Sequence, residues 1–230
     1  MQYSNQVIGF LQGNDILAKN LDNALLGVKE AVSNQIDTIG AGAQRALYYL
    51  SCFTDEYQDV CQQQKTEDLR FIKAVNKLIT SRNIVNDMLK IYFDEIFKYK
   101  TNAQLERIKM SLMAVNIHIA ASHLTQQGFT LAVTAAVAVG MKASLNISAL
   151  VGRSAGVVVA AAGVYGVVQK AADSANRLRQ TLPAYYTVLY ANELEMMYFL
   201  IDSLFDNSGA LRNATPSVDE ITKIITNMIR

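Results

Sequence analysis

The sequence predicts an all-α protein: an antiparallel, elongated helical bundle around a central apolar hairpin rich in Ala and Gly. Three observations carry this. Apolar residues recur at spacings of three and four along nearly the whole chain. There are only two prolines, Pro183 and Pro216, and alternating strand patterns are scarce. From Met110 to Met141 no residue carries a full charge, and a second uncharged stretch runs from Ser154 to Gln169.

Taken in order, Leu17, Leu21, Leu25, Val28, Val32, Ile36 and Ile39 form one apolar stripe, which Gly40-Ala41-Gly42 should break. A second helix is expected from Ala43 to Gln64. Thr66 reads as an N-cap, with Glu67 and Asp68 in the first turn, where the helix dipole favours them. Leu69, Ile72, Val75, Ile79, Val85, Leu89, Tyr92 and Ile96 then mark one long third helix. Thr101 with Gln104 reads as a capping box. Leu105, Ile108, Leu112, Val115 and Ile119 follow as a coiled-coil-like seam, on a fourth long helix that should end at Gly128. Beyond the apolar region, Lys170 to Thr181 restores polarity. Pro183 suits the first position of a new helix running to about Asp206, with Asn207-Ser208-Gly209 as its stop. Thr215-Pro216 opens a last helix with Val218, Ile221, Ile225 and Met228 on one face. Long helices with short breaks point to a bundle.

At 230 residues the chain can bury a substantial core. Charged residues make up only 18% of it, against ~25% in an average soluble chain. The deficit is local. The first 128 residues carry 13 basic and 13 acidic side chains, whereas Phe129 to Leu182 has a net charge of +4 from Lys142, Arg153, Lys170, Arg177, Arg179 and Asp173. One domain with three regions follows: 1–128 as amphipathic helices, 129–169 as the apolar hairpin, and 170–230 as helices that complete the bundle. Inside the hairpin, Ala132, Ala136 and Gly140 are spaced by four. Gly152, Gly156 and Ala160 repeat the spacing, and Gly163 continues near the same face. Such small-residue faces let helix backbones approach closely, as they do in lipid. Lys142 and Arg153 bracket the tip; Lys170, Arg177 and Arg179 form a cationic flank on the near side. The spans are short for a bilayer, which needs about 20 residues, and this fits a protein that is soluble first and inserts later. A soluble core hairpin remains the alternative. So does local β structure, since Val133, Ala135, Val137 and Val139 alternate, as do Ser144, Asn146 and Ser148.

Other chemistry is thin. A net charge of +1 with no basic run excludes a nucleic-acid binder. His118 and His123 diverge by about 140° on a helix and make no metal pair; a pH-sensing role in insertion is the alternative reading. Asp55, Glu56 and Asp59 read as a solvated face, and Glu193 and Glu195 face different ways. Tyr185, Tyr186, Tyr190, Met196, Met197 and Tyr198 read mostly as core. Gly152-Arg153-Ser154-Ala155-Gly156 resembles a nucleophile elbow only superficially: it lacks the strand-turn-helix setting, and no His follows position 123. No enzyme, cofactor or metal is expected. Cys52 and Cys61 would lie about 13 Å apart along a shared helix. They could not bridge there without unwinding it, so they read as free thiols of a reducing compartment. Met1 to Gly13 lacks the features of a Sec signal.

The layout resembles helical pore-forming toxins. Colicin-type pore domains hide an apolar hairpin in a soluble bundle, and cytolysin-A-like toxins place an apolar tongue between long helices. Here the hairpin, about Phe129 to Gln169, lies centrally, whereas colicin-type domains carry it near the C-terminus. Small bacterial effectors delivered by type VI secretion are a further resemblance. It implies a pore-forming or membrane-depolarising protein, made in the cytoplasm and exported by a signal-less route to a target-cell membrane. Its partners would be a lipid bilayer, further copies of itself, and a neutralising immunity protein or secretion carrier. The alternative is a soluble helical scaffold that oligomerises through its Ala/Gly faces.

Overall fold

In a computed structural model the protein is described at residues 45, 52, 58–80, 84–119, 125–144 and 161–230. The expected stripe from Leu17 to Ile39 lies outside them, as do Arg153 and the small residues Gly152, Gly156 and Ala160. Every element described is helical: α1 (Gln58–Thr80), α2 (Ile84–Phe97), α3 (Asn102–Ala114), α4 (Gln126–Ser144), α5 (Ala161–Thr181), α6 (Pro183–Ala191), a 3-10 helix (Glu195–Leu200), α7 (Asp202–Ser208) and α8 (Val218–Ile229). An all-α fold is thus what the sequence encodes, and the alternating valines of α4 are helical.

The described residues fall into two compact units. The first takes Arg45, Cys52, α1, α5 as far as Asn176, and residues 193–200. The second takes α2, α3, α4, the end of α5 from Arg177, α6, α7 and α8.

In the first unit α1 runs straight through Thr66. That residue is no N-cap: its Oγ1 donates to Gln62 O one turn back, as a mid-helix threonine does. The buried stripe of α1 is Cys61, Gln64, Asp68, Phe71 and Val75, while Leu69 is half exposed. The apolar stripe expected from Leu69 and Ile72 is rotated, because two polar residues take core positions. Cys52 and Cys61 form a disulfide with Cα atoms 5.0 Å apart, which corrects the free-thiol reading. One unbroken helix would hold them much farther apart, but Cys52 sits in 3-10 geometry while Cys61 lies in α1.

In the second unit the core is aromatic. Tyr92 packs edge-on against Phe93, Tyr185 and Phe205, with centroids 5.3, 5.5 and 4.7 Å away. The Tyr185 hydroxyl donates to Met88 O at 2.9 Å, tying α6 to α2. The Thr101–Gln104 capping box forms as expected. The helix it opens does not reach Gly128. It stops at Ala114 in a Schellman motif: Asn116 takes φ 63°, its N–H donates to Met113 O, and Ile117 N–H donates to Leu112 O. Ile117 and Leu112 are both buried, as the motif favours. Pro183 opens α6 at its first turn. The single helix expected from there to Asp206 is instead three pieces, the first ending at Ala191 just before Glu193 at φ 56°. Gly209, at φ 80°, ends the last piece in a second Schellman motif. α8 starts with a capping box between Ser217 and Glu220 and buries Ile221, Ile224, Ile225 and Met228.

Candidate functional site: an uncharged helix

Thr125 stands just before α4, its Oγ1 accepting from Gly128 N–H at 3.1 Å. Gly128, expected as a stop, therefore lies in a first turn. The helix packs against α2, α3 and α8, with the Phe97 and Phe129 rings 5.0 Å apart between α2 and α4. Phe129, Thr130, Val133, Thr134, Val137 and Ala138 are buried.

The opposite face is unusual. An amphipathic surface helix turns charged and polar residues to water. Here Gln127, Leu131, Ala135 and Val139, each four apart, face solvent. Leu131 is 56% exposed and Val139 67%. From Gln126 to Met141 no face of the helix bears a charge. The buried face has an irregularity of its own, since the Thr130 and Thr134 hydroxyls lie one turn apart, both buried and both without a hydrogen-bond partner.

Of the small residues read as packing positions, Ala132, Ala136 and Gly140 lie half buried along one side of α4. Gly140 has a specific use. A Cβ added there would lie 2.8 Å from Ile229 O and 2.9 Å from Ile229 Cα. The backbones of α4 and α8 meet at a distance only glycine allows. Lys142 lies in the last turn of α4 and Gly163 in the first turn of α5. Arg177 is paired with Asp202 and Asp206, at 3.6 and 2.7 Å, and Arg179 is exposed. His118 follows α3 and is exposed; His123 lies outside the described residues.

Lys170 lies beside a polar cluster that the sequence did not reveal. In the first unit Arg45 is fully buried and uses all five N–H donors. Nε and Nη2 donate to Asp68 Oδ1, Nη1 to Glu67 Oε2 and Gln169 Oε1, and Nη2 to Gln64 O. Gln169 then donates from Nε2 to Asp173 Oδ1 at 2.7 Å. Burial beside this cluster pushes the Asp173 carboxyl above its ordinary range. The Gln169 bond works against the rise, the Glu67 carboxylate adds to it, and Arg45 opposes it. Arg70 grips buried Glu195 with two bonds of 2.6 Å, while Glu193 reaches Lys73 at 3.2 Å. Each of these carboxylates has a cation or amide within hydrogen-bond reach.

Among the described residues no group of three or more His, Cys, Asp or Glu side chains could hold a metal ion. Nor is any described helix long and apolar enough to cross a membrane. α4 rises about 28 Å against a hydrocarbon core of ~30 Å, and its Gln and Thr residues lower its hydropathy. Comparison of the chain with protein-family models, with curated proteins and with solved structures finds no match.

Proposed function

We propose that this protein is a pore-forming or membrane-depolarising protein with no enzymatic activity. It stores the 129–169 region as a helical hairpin in a bundle and releases it into a target bilayer. One observation carries the reading: from Gln126 to Met141 α4 bears no charge on any face, including the stripe of Leu131, Ala135 and Val139 that faces solvent. Apolar surface of that kind costs free energy in water and gains it in a headgroup–acyl boundary. The disulfide supports a site of action outside the reducing cytoplasm. Because α4 alone falls short of a span, insertion would proceed through helix pairing and oligomerisation. An immunity protein or secretion carrier would cover the stripe before delivery.

A second reading is favoured by Gly140. Its contact with Ile229 ties α4 to α8 within the chain, which supports keeping α4 packed in a soluble scaffold, one that would oligomerise through its remaining Ala/Gly faces. Planar-bilayer recording with the purified protein separates the two. Step-like conductance is the outcome of the pore reading. A silent bilayer, with no co-sedimentation on anionic or neutral vesicles from pH 5 to 8, overturns it in favour of the scaffold.

A further inference from the structure

In the second unit the cations mostly have partners. Lys90 pairs with Asp94, Lys98 with Glu95, Arg107 with Asp219 and Arg177 with Asp202 and Asp206. Arg212 and Lys223 differ: among the described residues neither side chain has an ion-pair or hydrogen-bond partner. Both line one cavity of about 310 Å³, formed where α7 ends and α8 begins. That is the lower end of the size range of small-ligand sites.

Gly209, in its left-handed conformation, turns the chain where α7 ends, and the Arg212 side chain lies against it, with Cδ and Nε 3.6 Å from where a Cβ would stand. Both residues line the cavity. Asn207 adds an amide. Lys100 stands at the rim, its Nζ donating to Pro216 O at 2.8 Å. The single carboxylate in the lining, Glu220, accepts from the Ser217 N–H at 2.7 Å and from Asn213; its one negative charge faces Lys100 as well as Arg212 and Lys223, so the site keeps a positive balance. Its bonds to Ser217 are what hold its pKa below the ordinary value, with Lys100 assisting.

We propose that this cavity binds a phosphate group, carried either by a free phosphate compound or by a lipid headgroup. The Arg212 fork matches two phosphate oxygens and Lys223 supplies a second positive charge. The inference stands apart from the pore reading, since it requires neither insertion nor a pore.

The test is a titration of the 15N-labelled full chain with inorganic phosphate, at constant ionic strength against chloride. Saturable shifts of the Gly209 amide and the Arg212 Nε–H are expected. Arg212→Gln with Lys223→Gln should weaken binding at least tenfold, about 1.4 kcal/mol or more. Lys90→Gln with Lys98→Gln, equal in charge change, should leave it intact. Non-saturable shifts, or equal weakening by the control pair, overturn the proposal. Vesicles of phosphatidylcholine with and without phosphatidic acid then identify the source. A preference for phosphatidic acid that the Arg212/Lys223 variant loses assigns the phosphate to a lipid headgroup; vesicle binding unchanged by that variant assigns it to a free compound.

Discussion

Arg45 donates five hydrogen bonds into the first unit, so its loss would take a buried counter-charge away from Asp68. Arg45→Met should cost about 3–5 kcal/mol by chemical denaturation, whereas Arg45→Met combined with Asp68→Leu should recover most of that, because an apolar pair replaces a charged one. Equal losses in the single and double variants would mean that the ion pair is not what the site needs. Asp173 gives a pH signature. Its carboxyl titrates above its ordinary value of 3.8 in the native state, so the folded protein holds that proton to higher pH than the unfolded chain. The associated stability is fully present below the unfolded value and is lost as pH rises through the folded one. Asp173→Asn keeps an acceptor for Gln169 and removes the titration. Its stability relative to wild type should therefore rise across that window and level off above it, as read from denaturation midpoints at stepped pH. None of this could be anticipated from Asp68 in the sequence. Beside Glu67 and after Thr66 it looks like a helix-start acid, and its partner lies 23 residues away, while Gln169 lies 124 residues from Arg45.

Among the elements, α4 and α8 depend on a missing side chain. Gly140→Ala brings two opposing terms. Alanine gains about 1 kcal/mol of helix propensity, but its methyl would press on the Ile229 backbone, which cannot rotate away as a side-chain tip could. Overpacking costs about 1–3 kcal/mol, so a net loss of stability is expected; a stabilised variant on thermal unfolding would contradict the close approach. Elements whose signals are local were legible: the Thr101–Gln104 box, Pro183 at a first turn, the Gly209 stop and the apolar face of α8. Among the missed boundaries, one separates α1, ending at Thr80, from α2, starting at Ile84; two others lie at Asn116 and Glu193, where non-glycine residues adopt positive φ. Asparagine does so readily enough to end a helix, yet it is common inside helices too, so the stop became visible only with the burial of Ile117. Of the candidate site, the uncharged character of α4 was legible and the orientation of its stripes was not, since that depends on how α2 and α8 meet it.

For the whole molecule, the charges at the tip of the proposed hairpin discriminate most sharply. If 129–169 enters an energised membrane from outside, Lys142 and Arg153 travel toward the negative interior and gain roughly 2.3 kcal/mol per charge per 100 mV. Lys142→Glu with Arg153→Glu should abolish depolarisation of energised cells, read with a potential-sensitive dye, while binding to uncharged vesicles changes little. Depolarisation equal to wild type would sink the model of tip translocation. The Cys52–Cys61 bridge bears on how such motions can be followed. The chain has two cysteines and no tryptophan, and both sulfurs are committed to one another. An oxidised preparation thus presents no nucleophilic thiol. A single cysteine placed at Leu131 or Val139 would be the sole attachment point for an environment-sensitive dye, and its emission would report whether that stripe meets water, protein or lipid.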